Sequence, residues 1–453
     1  MFVISSNGET TIKIAVAQDI YNDLTIRDHK VFLGRNQIEA EFKLDETIPS
    51  GLALLLSPLL KTGKMLTQGS HFEKLQLNYC RVAGPAIKLG PVVGVLLARK
   101  TDKGYSLPTG KEGRILAEMN EAATKRNILM YFFYADGVNF TRQIINGHRY
   151  IASQKGKGKW VRASFPLPDI IYNRITSRSR ERENHVQLFL QKAVRKSIHV
   201  FNTRFLNKWE VHKSLYSNSI TRIMLPETDR YSQEKLVYYL ANFTEFFIKP
   251  TESSVGKGII KIVVNSPQSY SYYRVGSKSG WLKCHTSMQL YKQLRIPEGE
   301  KYILQQGIDL NCIDGNVFDI RAQVQKNGQG QWQLTGAAVR IAAPGKFVTH
   351  VPNGGTKGNF AGTLQELYGK DSEKSRNVNK QLETIAQILP RVLEQDLGLN
   401  LAILSLDIGL DKEGRMWIIE ANSKPASFDE DDIRQRHLNL LNDYFIFKSN
   451  FAQ

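Results

Sequence analysis

Two short apolar runs, Leu401-Ala402-Ile403-Leu404-Ser405-Leu406 and Met416-Trp417-Ile418-Ile419, have the length and continuity of strands buried on both faces. Asp411 to Gly414 supplies the turn residues between them, so the pattern predicts a β-hairpin. With residues 412–415 as the loop, Asp407 lies directly opposite Glu420 at cross-strand contact distance. Asn422, two residues beyond Glu420, projects to the same face. Two carboxylates and an amide oxygen then converge on an apolar sheet, where ionised groups persist only if something positive meets them. Asp407, Glu420 and Asn422 are therefore candidate ligands for Mg²⁺, a hard cation held by one or two carboxylates together with substrate phosphates, and a nucleotide is implied beside it. The competing reading is a solvated hairpin edge with ordinary surface acids.

The same alternation marks further elements upstream. Residues 243–250 and 259–264 read as strands around a flexible loop, 251–258, in which Ser253, Ser254, Gly256 and Gly258 let backbone N–H groups approach phosphate closely. Lys249 ends the first strand with a fixed positive charge. The loop is not a Walker A loop: Thr251 stands five before Gly256, and Gly258 follows Lys257 where that motif has Ser or Thr. A plain Gly/Ser hairpin turn competes with the phosphate reading. Residues 302–309 form a strand running into Gly307, with Gln305, Gln306 and Ile308 suited to presenting donors and acceptors to an adenine edge. Asp319 opens a strand that continues through Val324, and Gly336 to Arg340 ends another. Arg321 and Arg340 each offer a planar fork to phosphate or carboxylate oxygens, or serve as ion-pair partners. Asn353-Gly354-Gly355 is a turn, and His350 beside it reads as structural.

The organisation is α/β (α+β). Residues 1–88 alternate in the strand manner, most clearly over 38–44, and read as a β-rich accessory domain. Over 89–202, strands at 92–98, 128–133, 170–172 and 198–200 alternate with helices at 112–126 and 186–194, which implies a parallel sheet. Residues 203–453 form the remainder. There Leu382, Ile385, Ile388, Leu389, Val392 and Leu393 mark an amphipathic helix interrupted at Pro390 and stopped near Gly398. Asp429 to Asp432 open another, their charges complementing its dipole.

A chain of 453 residues predicts about two to four domains. Sixty-one Lys and Arg against 43 Asp and Glu leave a net charge of +18, which favours acidic partners. Much of that charge is local, in residues 154–159 and 174–182, which read as solvated loops. No nucleic-acid motif accompanies it, so a nucleotide or another anionic substrate is expected rather than nucleic acid. Three cysteines far apart suit a reducing, cytoplasmic setting and buried positions. The opening residues show no signal-peptide pattern, and no apolar run reaches the ~20 residues of a membrane span.

Lys249 before a glycine loop, Gln305-Gln306-Gly307-Ile308, Asp319-Ile320-Arg321, Asn353-Gly354-Gly355, Asp407 and Glu420-Ala421-Asn422-Ser423-Lys424-Pro425, in that order, resemble the ATP-grasp superfamily, with the RimK-type amino-acid ligases a useful comparison. Leu89 to Gly94 and Trp417 to Pro425 are closer to the YheC/YheD group of endospore coat-associated proteins. The resemblance covers roughly residues 89–430. It implies an ATP-grasp fold over 203–453, a pre-ATP-grasp domain over 89–202, and ATP and Mg²⁺ as cofactors. An Asp-Lys pair opening a helix reaches the α-phosphate in the superfamily. Here Asn207-Lys208 matches it, with Lys208 the first choice and Lys213 the second, while Gln306 stands where many relatives carry an acid. The implied activity is an ATP-dependent carboxylate–amine ligase acting through an acyl phosphate, on a carboxylate and an amine that include acidic peptides or cell-wall material among their candidates. The alternative it leaves open is a spore-coat-associated scaffold that binds without turnover.

Overall fold

Alternation of apolar and polar residues organises the described residues into four sheets. The computed structural model describes residues 12–24, 30–38, 40–50, 52–55, 75–82, 86–99, 109–153, 156–253, 256–277, 279–299, 301–349 and 354–451. Two units account for them, Met1–Arg204 with Lys326–Gln331 and Ala426–Gln453, and Phe205–Gln325 with Trp332–Pro425.

In the first unit, β1 (Ile12–Val16), α1 (Gln18–Leu24), β2 (Lys30–Leu33), β3 (Asn36–Ile38), β4 (Ala40–Leu44), β5 (Leu52–Leu55), β6 (Leu75–Val82) and β7 (Ala86–Gly90) build a seven-stranded sheet in the order β3-β2-β7-β6-β5-β1-β4. A second sheet follows from β8 (Val92–Leu96), α2 (Gly110–Thr124), β9 (Leu129–Asn139), β10 (Ile144–Ser153), β11 (Gly156–Pro166), β12 (Ile170–Asn173), α3 (Arg178–Glu181), α4 (Asn184–Arg195) and β13 (His199–Phe201), in the order β11-β10-β9-β8-β12-β13. β8 pairs in parallel with β9 and β12, and β12 with β13, as strand–helix alternation predicts. The sheet is nevertheless mixed: β9, β10 and β11 succeed one another without a helical crossover, so they pair antiparallel.

Two charge runs also differ from solvated loops. Residues 154–155 lie outside the described residues, and 156–159 open the edge strand β11, where the exposed Lys159 discourages pairing with another chain. Residues 174–182 include α3, whose Glu181 is buried and accepts a 2.9 Å hydrogen bond from Asn173.

The second unit begins with α5 (Lys208–Ser217), α6 (Ser219–Arg222), β14 (Thr228–Arg230), α7 (Gln233–Asn242), β15 (Glu245–Pro250), β16 (Ile260–Ser266), β17 (Ser269–Arg274), β18 (Trp281–Cys284), α8 (Ser287–Leu294) and β19 (Tyr302–Gln306). The strands lie in the order β14-β19-β15-β16-β17-β18. One face, with Phe246, Ile248, Ile260, Ile262 and Leu304, packs on Leu236, Leu240, Leu290 and Leu294 of α7 and α8. Next come β20 (Cys312–Ile313), β21 (Asn316–Lys326), β22 (Trp332–Ile341), β23 (Thr356–Asn359), α9 (Phe360–Tyr368), α10 (Glu373–Leu397), β24 (Ile403–Leu410) and β25 (Met416–Asn422). Their sheet has the order β23-β22-β21-β24-β25, with β20 paired to β21.

Its apolar face, including Ile320, Ala322, Val324, Leu404, Leu406 and Ile408, meets Val378, Leu382, Ile385, Leu389 and Leu393 of α10. That helix runs through Pro390 without interruption and ends at Gly398, whose φ of 59° suits glycine. Burial of Ala386, Leu389, Pro390 and Leu393 along one face offsets the ~3 kcal/mol that an interior proline costs. The last helix, α11 (Asp431–Lys448), carries Asp431 and Asp432 in its first turn and belongs to the first unit.

One irregularity in β24–β25 decides what the second sheet presents. Leu410 pairs with Met416 and Ile408 with Ile418, but Asp407 pairs with Glu420 and Ser405 with Asn422. Ile419 is the extra residue, a β-bulge. In a regular ladder from the turn, Glu420 would fall opposite Leu406 and share the apolar face of Met416 and Ile418. The bulge shifts the period by one, so Ala421 takes the apolar face and Glu420 turns to the face of Asp407. Deleting Ile419 joins Ile418 to Glu420, and a regular ladder then keeps Glu420 opposite Asp407 without a bulge. Inserting one alanine after Ile419 instead carries Glu420 opposite Leu406, among leucines and isoleucines, and urea unfolding is expected to show a loss of about 3–5 kcal/mol, the range for an uncompensated buried charge. An insertion variant as stable as the parent would mean that the register does not orient Glu420.

Candidate functional site

The second unit gathers most of the expected site residues, beginning at the start of α5. The Asn207 side chain caps that helix by accepting from the N–H groups of Trp209 (2.9 Å) and Glu210 (3.4 Å). Asn therefore starts the helix as Asp would, and Lys208 follows in the first turn. Its backbone N–H donates to the Thr251 carbonyl at 3.0 Å. Its Nζ donates to the Ser253 carbonyl at 3.0 Å and to Glu420 Oε1 at 3.1 Å. Lys213, one turn further along, is exposed, so the geometry singles out Lys208.

Lys249 ends β15 and is buried. Its Nζ donates to Gln305 Oε1 at 2.5 Å and lies 5.2 Å from the centre of the Phe247 ring. Burial lowers its pKa from 10.5 to about 8; Glu420 works against that shift and Lys208 with it. Beyond Lys249 the chain makes the expected loop between antiparallel strands. Gly256 and Gly258 adopt φ of 72° and 76°, in the left-handed region that favours glycine. Ser254 lies outside the described residues, as do His350 and Asn353.

Gln305 and Gln306 diverge. Gln305 faces Lys249, whereas Gln306 spends its side-chain oxygen on the Glu227 N–H (3.1 Å) and its own N–H on the Glu227 carbonyl (2.9 Å). Gly307 packs directly on Glu245: a Cβ there would sit 2.7 Å from the Glu245 carbonyl oxygen, so no other residue fits without a shift. Ile308 follows, half-buried.

A buried charge cluster occupies the polar face of the β21–β25 sheet. Arg340 donates from Nε and Nη2 to the two Asp319 oxygens, at 2.8 and 2.9 Å, and lies 3.0 Å from Asp407 Oδ1. Arg321 Nη1 approaches the same Asp407 oxygen at 2.5 Å. Thr349 donates to Asp319 at 2.5 Å. Burial acts to discharge Arg340, but Asp407 and Asp319 outweigh it and hold its pKa above the ordinary value. Burial raises the Asp319 pKa despite the opposing Arg340 charge. Four cations, Lys208, Lys249, Arg321 and Arg340, thus accompany three carboxylates, Asp319, Asp407 and Glu420.

Lys208, Lys249, Gln305 and Glu420 line one cavity of about 30 Å³, together with Val211, His212, Leu215, Leu225, Ile303 and Ile418. Burial lowers the His212 pKa to about 4, so its ring is neutral and offers one donor and one acceptor. The cavity lies far below the roughly 300 Å³ at which small-molecule sites begin, and a nucleotide enters only if its walls move apart.

The donor chemistry fits a hard cation. Asp407 and Glu420 face each other across the hairpin, Asn422 lies two residues on, and Ser405 opposite Asn422 has a buried hydroxyl without a hydrogen-bond partner. Among the described residues, no three His, Cys, Asp or Glu side chains cluster as a metal site, so the set rests on two carboxylates and neutral oxygens.

Sequence reasoning left Asp319 and Thr349 unassigned and passed over Gln323, Ser405 and His212. The signal for two of these was present: Asp319, Arg321, Gln323 and Gln325 alternate with apolar Ile320, Ala322 and Val324, a polar stripe along one buried strand.

A family model described as YheC/D like ATP-grasp matches residues 197–447. The chain is 25% identical over 352 residues to the endospore coat-associated protein YheD of Bacillus subtilis (strain 168), covering 75% of this chain and 74% of that protein. It is 26% identical over 274 residues to endospore coat-associated protein YheC of the same strain, covering 59% and 73%. Among solved structures, the D-alanine-D-alanine ligase from Coxiella burnetii matches with a TM-score of 0.42 and 11% identity, over 80% of this chain and 95% of that one.

Lys249 gives the cavity a pH signature. Its lowered pKa means that the folded state loses this proton near pH 8 while the unfolded state keeps it to about 10.5, so the cost of its buried charge is present below pH 8 and relieved as pH rises through that window. An anionic phosphate beside Lys249 restores the proton. ATP binding at pH 8 to 9 should therefore take up protons, read as a calorimetric enthalpy that varies with the ionisation heat of the buffer. Lys249→Met should abolish the dependence, and a wild-type enthalpy independent of buffer would contradict the assignment.

Proposed function

This chain belongs to the YheC/D-like ATP-grasp family, and from that premise we propose that it is an ATP-dependent carboxylate–amine ligase that works through an acyl phosphate. The observation carrying this reading is the convergence of Lys208, Lys249, Gln305 and Glu420 on one cavity, with Asp407 opposite Glu420. Phosphoryl transfer asks a protein mainly for positioning and charge neutralisation, and this cavity supplies both.

In the proposed reaction Lys208 and Lys249 hold the phosphates of ATP. Gln305 and His212 face the base, in a slot otherwise walled by Val211, Leu215, Leu225, Ile303 and Ile418. Gly256 and Gly258 let the loop backbone close over the phosphates. Asp407 and Glu420, with Asn422, hold Mg²⁺, which supplies charge neutralisation at the terminal phosphates when bound. Arg321 and Arg340 orient the incoming carboxylate and the group being transferred. A carboxylate oxygen attacks the γ-phosphorus and ADP leaves; the amine then attacks the acyl carbon and phosphate leaves with that oxygen.

Of the two arginines, Arg321 is the cleaner probe. Removing Arg340 would leave Asp319 without its cation, at about 3–5 kcal/mol for a broken buried pair, and so would test the fold. Arg321→Ala leaves Asp407 with Arg340. With a productive carboxylate and amine pair identified by mass spectrometry of cell extract, the wild type should yield ADP and phosphate, with ¹⁸O from the carboxylate in the phosphate. Arg321→Ala should still bind ATP but turn over roughly 10²- to 10³-fold more slowly. AMP as the nucleotide product, or unlabelled phosphate, excludes the acyl-phosphate route. ATP binding with no turnover on any pair would favour a coat-associated binding protein, the character named for YheD and YheC.

A further inference from the structure

The family match begins at residue 197, yet the first unit has a cavity of its own well before that point. In its mixed sheet, β8 leads through α2 to β9 on one side and pairs with β12 on the other. The chain therefore reverses its strand order at β8, and crevices at the carboxyl ends of strands beside such a reversal are where open α/β sheets bind ligands. Pairing of β8 with β9 stops at Leu96 and Phe133. Just beyond it a cavity of about 230 Å³ opens, walled by Arg99 after β8, by Tyr134 and Asp136 of β9, and by Arg180, Glu183 and His185 around the starts of α3 and α4. That volume, below the roughly 300–1,000 Å³ of drug-sized sites, suits a very small molecule.

Its charges come as two ion pairs. Arg99 pairs with Asp136, and Arg180 Nη1 lies 2.8 Å from Glu183 Oε1, with His185 Nδ1 3.7 Å from Glu183 Oε2. All four paired side chains are only 26–34% exposed, so each is incompletely hydrated and still reachable from the cavity. A ligand with a single charge can match only one member of a pair and gives up that pair's own attraction in doing so. A zwitterion avoids this: its carboxylate takes a guanidinium while its ammonium takes the carboxylate thereby released.

We propose that this cavity binds a small zwitterion of amino-acid size, with one carboxylate and one ammonium. As a binding site it stands without the ligase reading; as the seat of a co-substrate it rests on that reading. Calorimetry on the full chain without nucleotide tests it, using the common amino acids in both stereochemical forms, with acetate and ethylamine as single-charge controls. At least one amino acid should bind saturably and the controls should not. Asp136→Asn and Arg180→Gln should each weaken binding by about tenfold or more, as expected for a lost charge-assisted hydrogen bond, with native circular dichroism and an unchanged ATP-induced thermal shift. Should either variant misfold, Glu183→Gln and Arg99→Lys give the same readout with less disturbance. Binding by no amino acid, equal binding of acetate or ethylamine, or wild-type affinity in the folded variants would overturn the proposal. Amino-acid binding together with no ADP formation from ATP on any carboxylate and amine pair would leave this site standing and remove the ligase reading.

Discussion

The period of two along a β-strand governs the second unit. The bulge leaves Ile419 out of the ladder's count, so Glu420 falls opposite Asp407 on the polar face of the β24–β25 hairpin and not opposite Leu406 on the apolar one. Opposite Asp407 it can share positive charge; opposite Leu406 it would be an isolated carboxylate in a core. Lys208 can reach Glu420 because Asn207 starts α5 where it does, and the Ser253 carbonyl takes the same ammonium because Thr251 is tied to Lys208 through its backbone. A single bulge thus sets the partners of a lysine more than two hundred residues earlier.

Charge balance is the second constraint. Asp319, Asp407 and Glu420 are tolerated on a buried sheet face because Arg321, Arg340 and Lys208 meet them directly. Lys249 has no carboxylate in contact among the described residues; its ammonium rests on the Gln305 oxygen and over the Phe247 ring, and its lowered pKa records that position. An anion arriving in the cavity therefore finds one cation whose electrostatic needs are less well met than those of the others. This is a physical reason to expect phosphate there.

Much of this was legible in the sequence. The hairpin and the strand–loop–strand around Lys249 follow from alternation and turn residues; the facing of Asp407 and Glu420 is predicted with a loop of 412–415, whereas the loop is 411–415 and the Ile419 bulge makes up the difference of one residue. The bulge was not legible, because two registers one residue apart give the same run of apolar letters at Met416 to Ile419. Nor was the role of Arg340 as a clamp on Asp319: strands far apart in sequence bring the two together, and no local pattern records it. Pro390 misled because the local penalty of an interior proline is visible in the sequence while the packing of α10 that outweighs it is not. The succession β9-β10-β11 hid in the same way, since hairpin strands and parallel strands differ in their connections more than in their residues.

Asp407 and Glu420, brought together by the bulge, are proposed to hold a divalent cation with the nucleotide. Mn²⁺ takes the same oxygen donors as Mg²⁺ and is visible by electron paramagnetic resonance. Titrating Mn²⁺ into the protein with and without ATP reads the site directly. The account predicts tight, ATP-dependent Mn²⁺ binding in the wild type, lost in a folded Asp407→Asn/Glu420→Gln double variant; equal Mn²⁺ binding by that variant in the presence of ATP would contradict it.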